Sequence, residues 1–549
     1  MIERRALQLL IFIVAAVLMA LGMDRNLAVY DEGLILTGAM RVAAGDIPHR
    51  DFYANYGPGQ FYAIAGLFKL FGEYAIAERA YDTLVRAGIV AMCYGLAAGV
   101  AARGIALAAA ATVFLWLYAV GYYGYTLLPV TLLSLAAAAI VQPSLARARS
   151  APSLAAAGAC VGLAALIRYD AGFMLFVALA AVLALSAALR SGPARPAARD
   201  AAAMLVPYVL GTSAVFLGAA ACYLAVAPLG AFIHDIFIFS VPNYARTRSM
   251  PFPSLRATIS SIDNVSVYLP IVLCALAAWS LGADRSGMAR RARDANASDG
   301  VEARRDWLVA TFALITAAFY LKGLVRPHPV HLIASIVASI ILLAVMAVRA
   351  WRQGSAWRVA VAILGVLAMA SATFAAVTTF AERNEQRATV LDKVRAVMHA
   401  PAGRQGSWCS TPPELARIKC LLLDLDREQA AQFVAQNTRP DERIFVGLTR
   451  HDKIFVNDVA MYFAAGRMPA TRWHHFDPGL QTSERIQRAI IAELEAGGVR
   501  YVILESTWDL VPEPNESADS SGVHLLDQYL LDHYGLVRTF GEIFVLTRK

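Results

Sequence analysis

Two adjacent carboxylates, Asp31 and Glu32, stand in a polar stretch of an otherwise apolar chain. The stretch reads Tyr30-Asp31-Glu32-Gly33, then Arg41, then Gly45-Asp46-Ile47-Pro48-His49-Arg50-Asp51-Phe52-Tyr53, and closes with Asn55-Tyr56-Gly57-Pro58-Gly59-Gln60. Carboxylates in such a setting are candidates for proton transfer. Neighbouring residues on a helix diverge by about 100°, so the pair cannot converge on one atom and a single member faces the chemistry. The plainer alternative is a pair that caps a helix N-terminus just past a membrane. Asp51 is a further candidate, or else a turn residue paired with Arg50.

The elements that must hold this stretch are hydrophobic. Apolar residues make up 58% of the 549 residues and charged ones 16%, with a mean hydropathy of +0.52. A soluble chain of that length could not bury so much apolar surface. Runs of about 17 to 24 apolar residues match the thickness of a bilayer core. They predict about eleven transmembrane helices, near 7–23, 84–102, 105–121, 127–142, 153–168, 172–189, 203–226, 264–283, 307–321, 330–348 and 358–380. The first reads as a signal anchor, because no small-residue cleavage site precedes Asp24. Lys and Arg placement sets the orientation. With a cytoplasmic N-terminus carrying Arg4 and Arg5, the loops with Arg103, with Arg147 and Arg149, with Arg190, Arg195 and Arg199, with Arg285 to Arg305, and with Arg349 to Arg358 all fall on the cytoplasmic side. Residues 24–83, 122–126, 169–171, 227–263, 322–329 and everything from 381 onward are then exported across a bacterial inner membrane. The net charge of +8 is a topology signal and gives no support to a nucleic-acid partner.

At 381 the composition changes, which divides the chain into a membrane module over 1–380 and an extracytoplasmic soluble α/β domain over 381–549. The domain reads helical to about Ala430, with Thr411 to Glu414 as a helix start. Runs at Arg443 to Gly447, Arg500 to Leu504 and Ile543 to Thr547 read as buried strands, alternating with helices at Ser483 to Ala496 and Leu525 to His533. Val511 to Gly522, with two prolines and many Ser, Asp and Glu, reads as a disordered loop. Cys93, Cys160, Cys222 and Cys274 fall in spans as small apolar residues. Cys409 and Cys420 lie in the exported domain at a spacing that suits a disulfide.

The features of the first exported loop come in a particular order. An acidic pair follows the first span; a helix over Leu34 to Ala44 lies along the membrane surface; the segment Gly45 to Phe52 follows. The Gly57-Pro58-Gly59 turn then leads into a second helix over Phe61 to Phe71 and the run Leu70-Phe71-Gly72. This order resembles the GT-C superfamily of membrane glycosyltransferases, on the protein O-mannosyltransferase and aminoarabinose-transferase branch. The resemblance is close in this loop and architectural elsewhere. It implies transfer of a sugar from a polyprenyl-phosphate carrier to an acceptor hydroxyl on a lipid, glycan or protein, with inversion at the anomeric carbon. A phosphate departs without being protonated, so one carboxylate acting on the acceptor is enough. Asp31 is the candidate base, Glu32 orients the acceptor, and Asp51 binds sugar hydroxyls with Arg50 and Tyr56 beside it.

The carrier phosphate then needs positive charge at the outer interface. Lys322, Arg326, His328 and His331 gather at a helix entry, Arg246 and Arg248 lie in the longest exported segment between helices, and Arg168 adjoins Asp170 in a tight hairpin. Plainer readings exist: Arg168 and Asp170 neutralise each other, and Arg246 and Arg248 snorkel to lipid headgroups. His328 and His331 share a helical spacing, but Pro329 between them and the lack of further ligands argue against a metal. No cofactor is therefore expected, although some GT-C enzymes use a divalent cation. Trp473-His474-His475-Phe476-Asp477-Pro478-Gly479 reads either as an aromatic lip toward the acceptor or as the packed end of the domain. The competing classes are a transporter or flippase of lipid-linked sugars and a non-catalytic envelope-assembly protein. Transporters concentrate polar groups at the bilayer midplane, whereas these charges gather at the outer face.

Overall fold

Long apolar helices occupy most of the chain up to Glu385, and a small mixed sheet organises the rest. The computed structural model describes residues 2–146, 150–190, 197–254, 256, 264–293, 300–385 and 411–549. Among the described residues, seven helices are long and apolar enough to cross a membrane: Glu3–Leu21, Leu127–Leu145, Tyr169–Arg190, Ala198–Leu224, Val265–Ala283, Ile333–Ala350 and Ser355–Arg383. Arg103–Ala119 and Ala151–Ile167 are apolar but shorter. Ala75–Ala97 and Gly300–Gly323 have the length but carry charged residues in their sequences. Each expected span falls on one of these helices. Arg147, Arg149 and Arg195 lie outside the described residues, as does the segment 386–410.

Helix Asp31–Ala43 and helix Pro58–Phe71 lie in the segment that follows the first apolar helix. Pro58 sits in the first turn, where its missing N–H leaves nothing unpaired. Gly57 has no alternative, because a Cβ there would lie 2.1 Å from the Leu166 carbonyl oxygen. The helix that the sequence places on the membrane surface is instead enclosed, with every residue from Glu32 to Val42 buried. Two glycines make that possible. A Cβ on Gly33 would stand 2.5 Å from the Ala460 backbone nitrogen, and one on Gly38 would stand 2.5 Å from the Phe61 ring. The helix is thus clamped between its neighbour and the C-terminal domain, with Thr37 Oγ1 donating to the Val459 carbonyl at 2.9 Å.

The C-terminal sheet contains β1 (Phe445–Leu448), β2 (Tyr501–Glu505), β3 (Tyr534–Phe540) and β4 (Ile543–Arg548), in the order β1-β2-β4-β3. β1 and β2 are parallel, which demands a crossover, and helices Ala460–Ala465 and Glu484–Ala496 lie on it. β4 pairs antiparallel with both β2 and β3. Alternation along the strands divides the core in two. Val446, Ile503 and Val545 pack with Leu34, Leu36 and Phe61 of the two helices that follow the first apolar helix. Phe445, Val502 and Leu546 pack with Ile486, Ile490 and Tyr53.

Three local expectations need correction. β3 was not foreseen, because the middle of the strand, Leu536 to Thr539, is exposed and shows no buried alternation. Thr411 to Glu414 leads into a 3-10 helix, Pro413–Ile418, rather than an α-helix. Val511 to Gly522 is not a free loop, since Glu513, Asn515 and Glu516 bond to Arg326, Ser249 and Arg246. Cys420 is disulfide-bonded, and the other member of the expected pair, Cys409, lies outside the described residues.

The clamp on Gly33 gives a stability test. Gly33→Ala should lower the thermal unfolding midpoint in detergent, by the equivalent of about 1–3 kcal/mol of overpacking. Gly66→Ala, in the neighbouring helix where a Cβ meets nothing within 4 Å, should leave the midpoint unchanged or raise it.

Candidate active site

Helix Asp31–Ala43 begins at the acidic pair and separates its two members. Tyr30, not a carboxylate, takes the N-cap position and makes no side-chain cap, so the capping alternative does not hold. Glu32 turns inward. Its carboxylate accepts from Arg79 Nε at 2.6 Å and Arg79 Nη2 at 2.8 Å, and from the Ala28 backbone N–H at 3.0 Å. Both partners are fully buried, and the Arg79 guanidinium stacks over the Tyr123 ring at 4.2 Å. Glu32 is therefore committed to an ion pair and is not free to orient an acceptor, which corrects its expected role.

Asp31 faces the other way and is half-buried. Among the described residues none hydrogen-bonds or ion-pairs with its carboxylate. Its surroundings are cationic at longer range: Arg248, Arg168 and Arg326 all stabilise the charged form. Burial outweighs them and, with Asp477 adding repulsion, holds the Asp31 carboxyl above its ordinary range. The result is an uncommitted carboxylate beside three guanidinium groups, with Tyr30, Tyr56, Tyr122 and Tyr125 also in its field.

Each of those three cations has a carboxylate of its own. Arg168 Nε donates to Asp170 at 3.1 Å, Arg168 Nη1 donates to Thr126 Oγ1 at 3.3 Å, and the guanidinium lies 5.1 Å from the centre of the Tyr56 ring. Lys322 completes this group, 3.8 Å from Asp170. Arg248 Nη2 donates to Asp477 Oδ1 at 3.1 Å. Arg326 grips Glu513 with both Nη atoms, at 2.6 and 3.1 Å, and Nη1 also reaches the Arg248 carbonyl at 3.3 Å. His331 Nδ1 meets the Tyr125 hydroxyl at 3.2 Å, and burial followed by Arg326 pushes its pKa down to about 2. The imidazole is therefore neutral and offers a hydrogen bond rather than a charge. His328 Nδ1 lies 3.5 Å from the Val330 backbone nitrogen.

Other expected site residues lie apart from this group. Arg50 and Asp51 bond to each other at 2.6 and 2.9 Å, Arg50 also holds the Val226 carbonyl, and Asp51 accepts from the Ile47 N–H. That is the geometry of the turn-residue alternative. Arg246 pairs with Glu516 at an exposed position, at 2.6 Å. Among the described residues, one trio with metal-ligating atoms is grouped, Asp452, His524 and Asp527 in the C-terminal domain. Asp452 is already held by Arg450 through both oxygens, at 2.7 and 2.8 Å.

Two residues that shape the site were not singled out from the sequence. Asp477 lay inside the unusual Trp473 to Gly479 run, whose aromatic members are indeed buried packing, while its carboxylate reaches across to Tyr30 and Arg248. Glu513 carried no signal, because acidic residues in a Pro- and Ser-rich stretch ordinarily mark solvated loop.

Solved membrane-protein structures share this architecture. The archaeal oligosaccharyltransferase AglB from Archaeoglobus fulgidus, in complex with an inhibitory peptide and a dolichol-phosphate, matches 91% of this chain and 69% of its own at 11% identity and a TM-score of 0.50. ArnT from Cupriavidus metallidurans in the apo state matches 99% of this chain and 97% of its own at 13% identity and a TM-score of 0.49. No family model and no curated protein matches the sequence. The chain is a multi-pass membrane protein with the GT-C fold.

The division of the acidic pair is open to measurement. Glu32→Gln leaves Arg79 buried without its counter-charge and should destabilise the protein by about 3–5 kcal/mol. Asp31→Asn, which breaks no contact among the described residues and removes a carboxylate whose ionisation burial disfavours, should leave the unfolding midpoint at or above the wild-type value near neutral pH.

Proposed function

We propose that the chain is an inverting glycosyltransferase that moves a sugar from a polyprenyl-phosphate donor to an acceptor hydroxyl at the outer face of the membrane. The observation that carries this reading is the uncommitted Asp31 carboxylate in the field of Arg248, Arg168 and Arg326. A base next to phosphate-binding cations suits a displacement in which the leaving group is anionic from the start. Asp31 takes the proton of the acceptor hydroxyl as its oxygen bonds to the anomeric carbon. The bond from that carbon to the phosphate oxygen breaks, and the electron pair leaves with the polyprenyl phosphate. One displacement by one nucleophile inverts the centre. No acid is needed, in contrast to a glycoside hydrolase with its two carboxylates.

Arg326 and Arg168, with neutral His331 and Tyr125 as hydrogen-bonding groups, are the proposed phosphate cradle. Glu513 occupies Arg326 in the resting structure, so the donor phosphate must displace it. A transporter would have no use for the proton affinity of Asp31. Membrane helices 1–380 and an exported domain 381–549, with a cytoplasmic N-terminus, remain the proposed organisation, and the positive-inside placement of Lys and Arg supports it.

In proteoliposomes with a panel of radiolabelled polyprenyl-phosphate sugars, the wild type should transfer label and Asp31→Asn should lose at least about 10²-fold in rate, the usual range for a general base. Equal activity in Asp31→Asn would remove the base and favour transport. The rate should rise with pH along an acid limb placed above the ordinary carboxylate range, because a carboxyl whose pKa is raised in the folded protein acts as a base only once pH exceeds that raised value. Glu513→Gln, which leaves the guanidinium of Arg326 without its competing charge, should bind polyprenyl phosphate more tightly than wild type, and Arg326→Ala more weakly.

A further inference from the structure

We infer that Asp477, supplied by the exported domain, is a positioning residue that fixes Tyr30 and Arg248 around the Asp31 base. This rests on the reading of Asp31 given above. Asp477 Oδ1 accepts from the Tyr30 hydroxyl at 3.2 Å and from Arg248 Nη2 at 3.1 Å, and Oδ2 accepts from the Tyr53 hydroxyl at 3.0 Å and from Asn55 Nδ2 at 3.3 Å. The single Tyr30 hydroxyl proton is shared between Asp477 Oδ1 and the Phe476 carbonyl, the latter at 3.1 Å. His475 Nε2 stands 3.6 Å from Oδ2, and its ring stacks on Tyr53 at 4.7 Å between centroids. Most of the accepting capacity of Asp477 is thus spent on groups of this chain, which makes it a holder of those groups.

The segment that carries it is itself anchored. The Asp477 backbone N–H donates to Gln481 Oε1 at 2.8 Å, Gln481 Nε2 donates to the His475 carbonyl at 3.0 Å, and the Phe476 N–H donates to Asn457 Oδ1 at 2.9 Å. The four groups it holds come from three places in the membrane module: Tyr30 from the residue before Asp31, Tyr53 and Asn55 from the segment between the two loop helices, and Arg248 from the end of helix Val241–Arg248. One carboxylate from the exported domain therefore sets the mutual positions of the base's own helix start and of a guanidinium in its field.

The charges give the arrangement a direction. Burial raises Asp31, Arg248, Arg168 and Arg326 lower it in that order, and Asp477 raises it. Tyr30, Tyr56, Tyr122 and Tyr125 face it as phenols that burial keeps neutral. Against the cost of its own burial, Asp477 is held far below the usual carboxylate range by His475 and Arg248, so it stays ionised while Asp31 titrates. Neutralising Asp477 removes a negative neighbour from Asp31 and leaves Arg248 less compensated. Both changes lower the pKa of the base. Neutralising Arg248 has the opposite sign.

The test is the pH profile of kcat/KM for sugar transfer by the full-length protein in proteoliposomes, with Asp31→Asn, Asp477→Asn, Arg248→Gln and the Asp477→Asn/Arg248→Gln double variant. The expected result is an acid limb moved to lower pH in Asp477→Asn, to higher pH in Arg248→Gln, and back toward wild type in the double variant. A residue that merely packs the domain would lower the amount of active protein and leave the limb where it was. If Asp31→Asn is inactive while the limbs of Asp477→Asn and Arg248→Gln coincide with wild type, the positioning role is overturned and the base stands. If Asp31→Asn retains activity, the base itself falls. Should Asp477→Asn fail to fold, an unmoved limb in Arg248→Gln is enough to overturn the role.

Discussion

The bidentate contact between Glu32 and Arg79 is the constraint on which the candidate site depends. Both side chains are fully out of water, where an ion pair persists only with good geometry and further hydrogen bonds. Arg79 also donates to the carbonyl oxygens of Asp24 and Asn26. It therefore fastens the strand of chain between the first apolar helix and Asp31 to helix Ala75–Ala97. With Glu32 anchored, the turn of the helix decides everything for its neighbour. About 100° of rotation per residue carries Asp31 out of the pair and toward Arg248, Arg168 and Arg326. Two chemically similar residues thereby become an anchor and an uncommitted carboxylate.

Charge balance explains why the anions outnumber what a simple anion-binding site would need. A guanidinium taken from water without a partner costs several kcal/mol, and Arg168, Arg248 and Arg326 each have a carboxylate in Asp170, Asp477 and Glu513. Lys322 is a further cation beside Asp170, so the cations still favour the charged form of Asp31, and it is burial that holds its pKa up in spite of them. The partners differ in origin. Asp170 is two residues from its arginine, whereas Asp477 and Glu513 both arrive from the C-terminal domain. Local pairing secures the first; domain docking secures the other two.

The membrane helices and most of the sheet were readable in the sequence because they are repetitive: apolar runs of bilayer length, and short buried strands at 445–448, 501–505 and 543–548. The divergence of Asp31 and Glu32 was also readable, since helix geometry requires it. Which of the two would be buried was not, because that depends on Arg79, 47 positions away from Glu32. Leu34 to Ala44 resembled a surface helix only while its polar side was taken to face water. Gly33 and Gly38 are what admit the C-terminal domain and Phe61 to that side, and a glycine in a helix has no signature that separates close packing from mere tolerance. β3 escaped for a related reason, as Leu536 and Val537 are exposed apolar residues on an edge strand and an edge strand need not alternate.

The C-terminal domain is in consequence not an appendage to the membrane helices. One face of its sheet shares a core with Leu34, Leu36 and Phe61, so separating the two would return that apolar surface to water. The same docking brings Asp477 to Tyr30, 447 positions away in the chain, and places Glu513 on Arg326. A rigid contact at one sheet face and two carboxylates at the cations are different kinds of coupling. The first cannot change without unfolding a core. The second can, because Glu513 sits in an irregular segment whose regular structure is limited to the short 3-10 turn Glu516–Ala518, and an ion pair exchanges one anion for another without loss of charge balance. The architecture therefore fixes Asp31 through packing while leaving the anion on Arg326 replaceable by another anion.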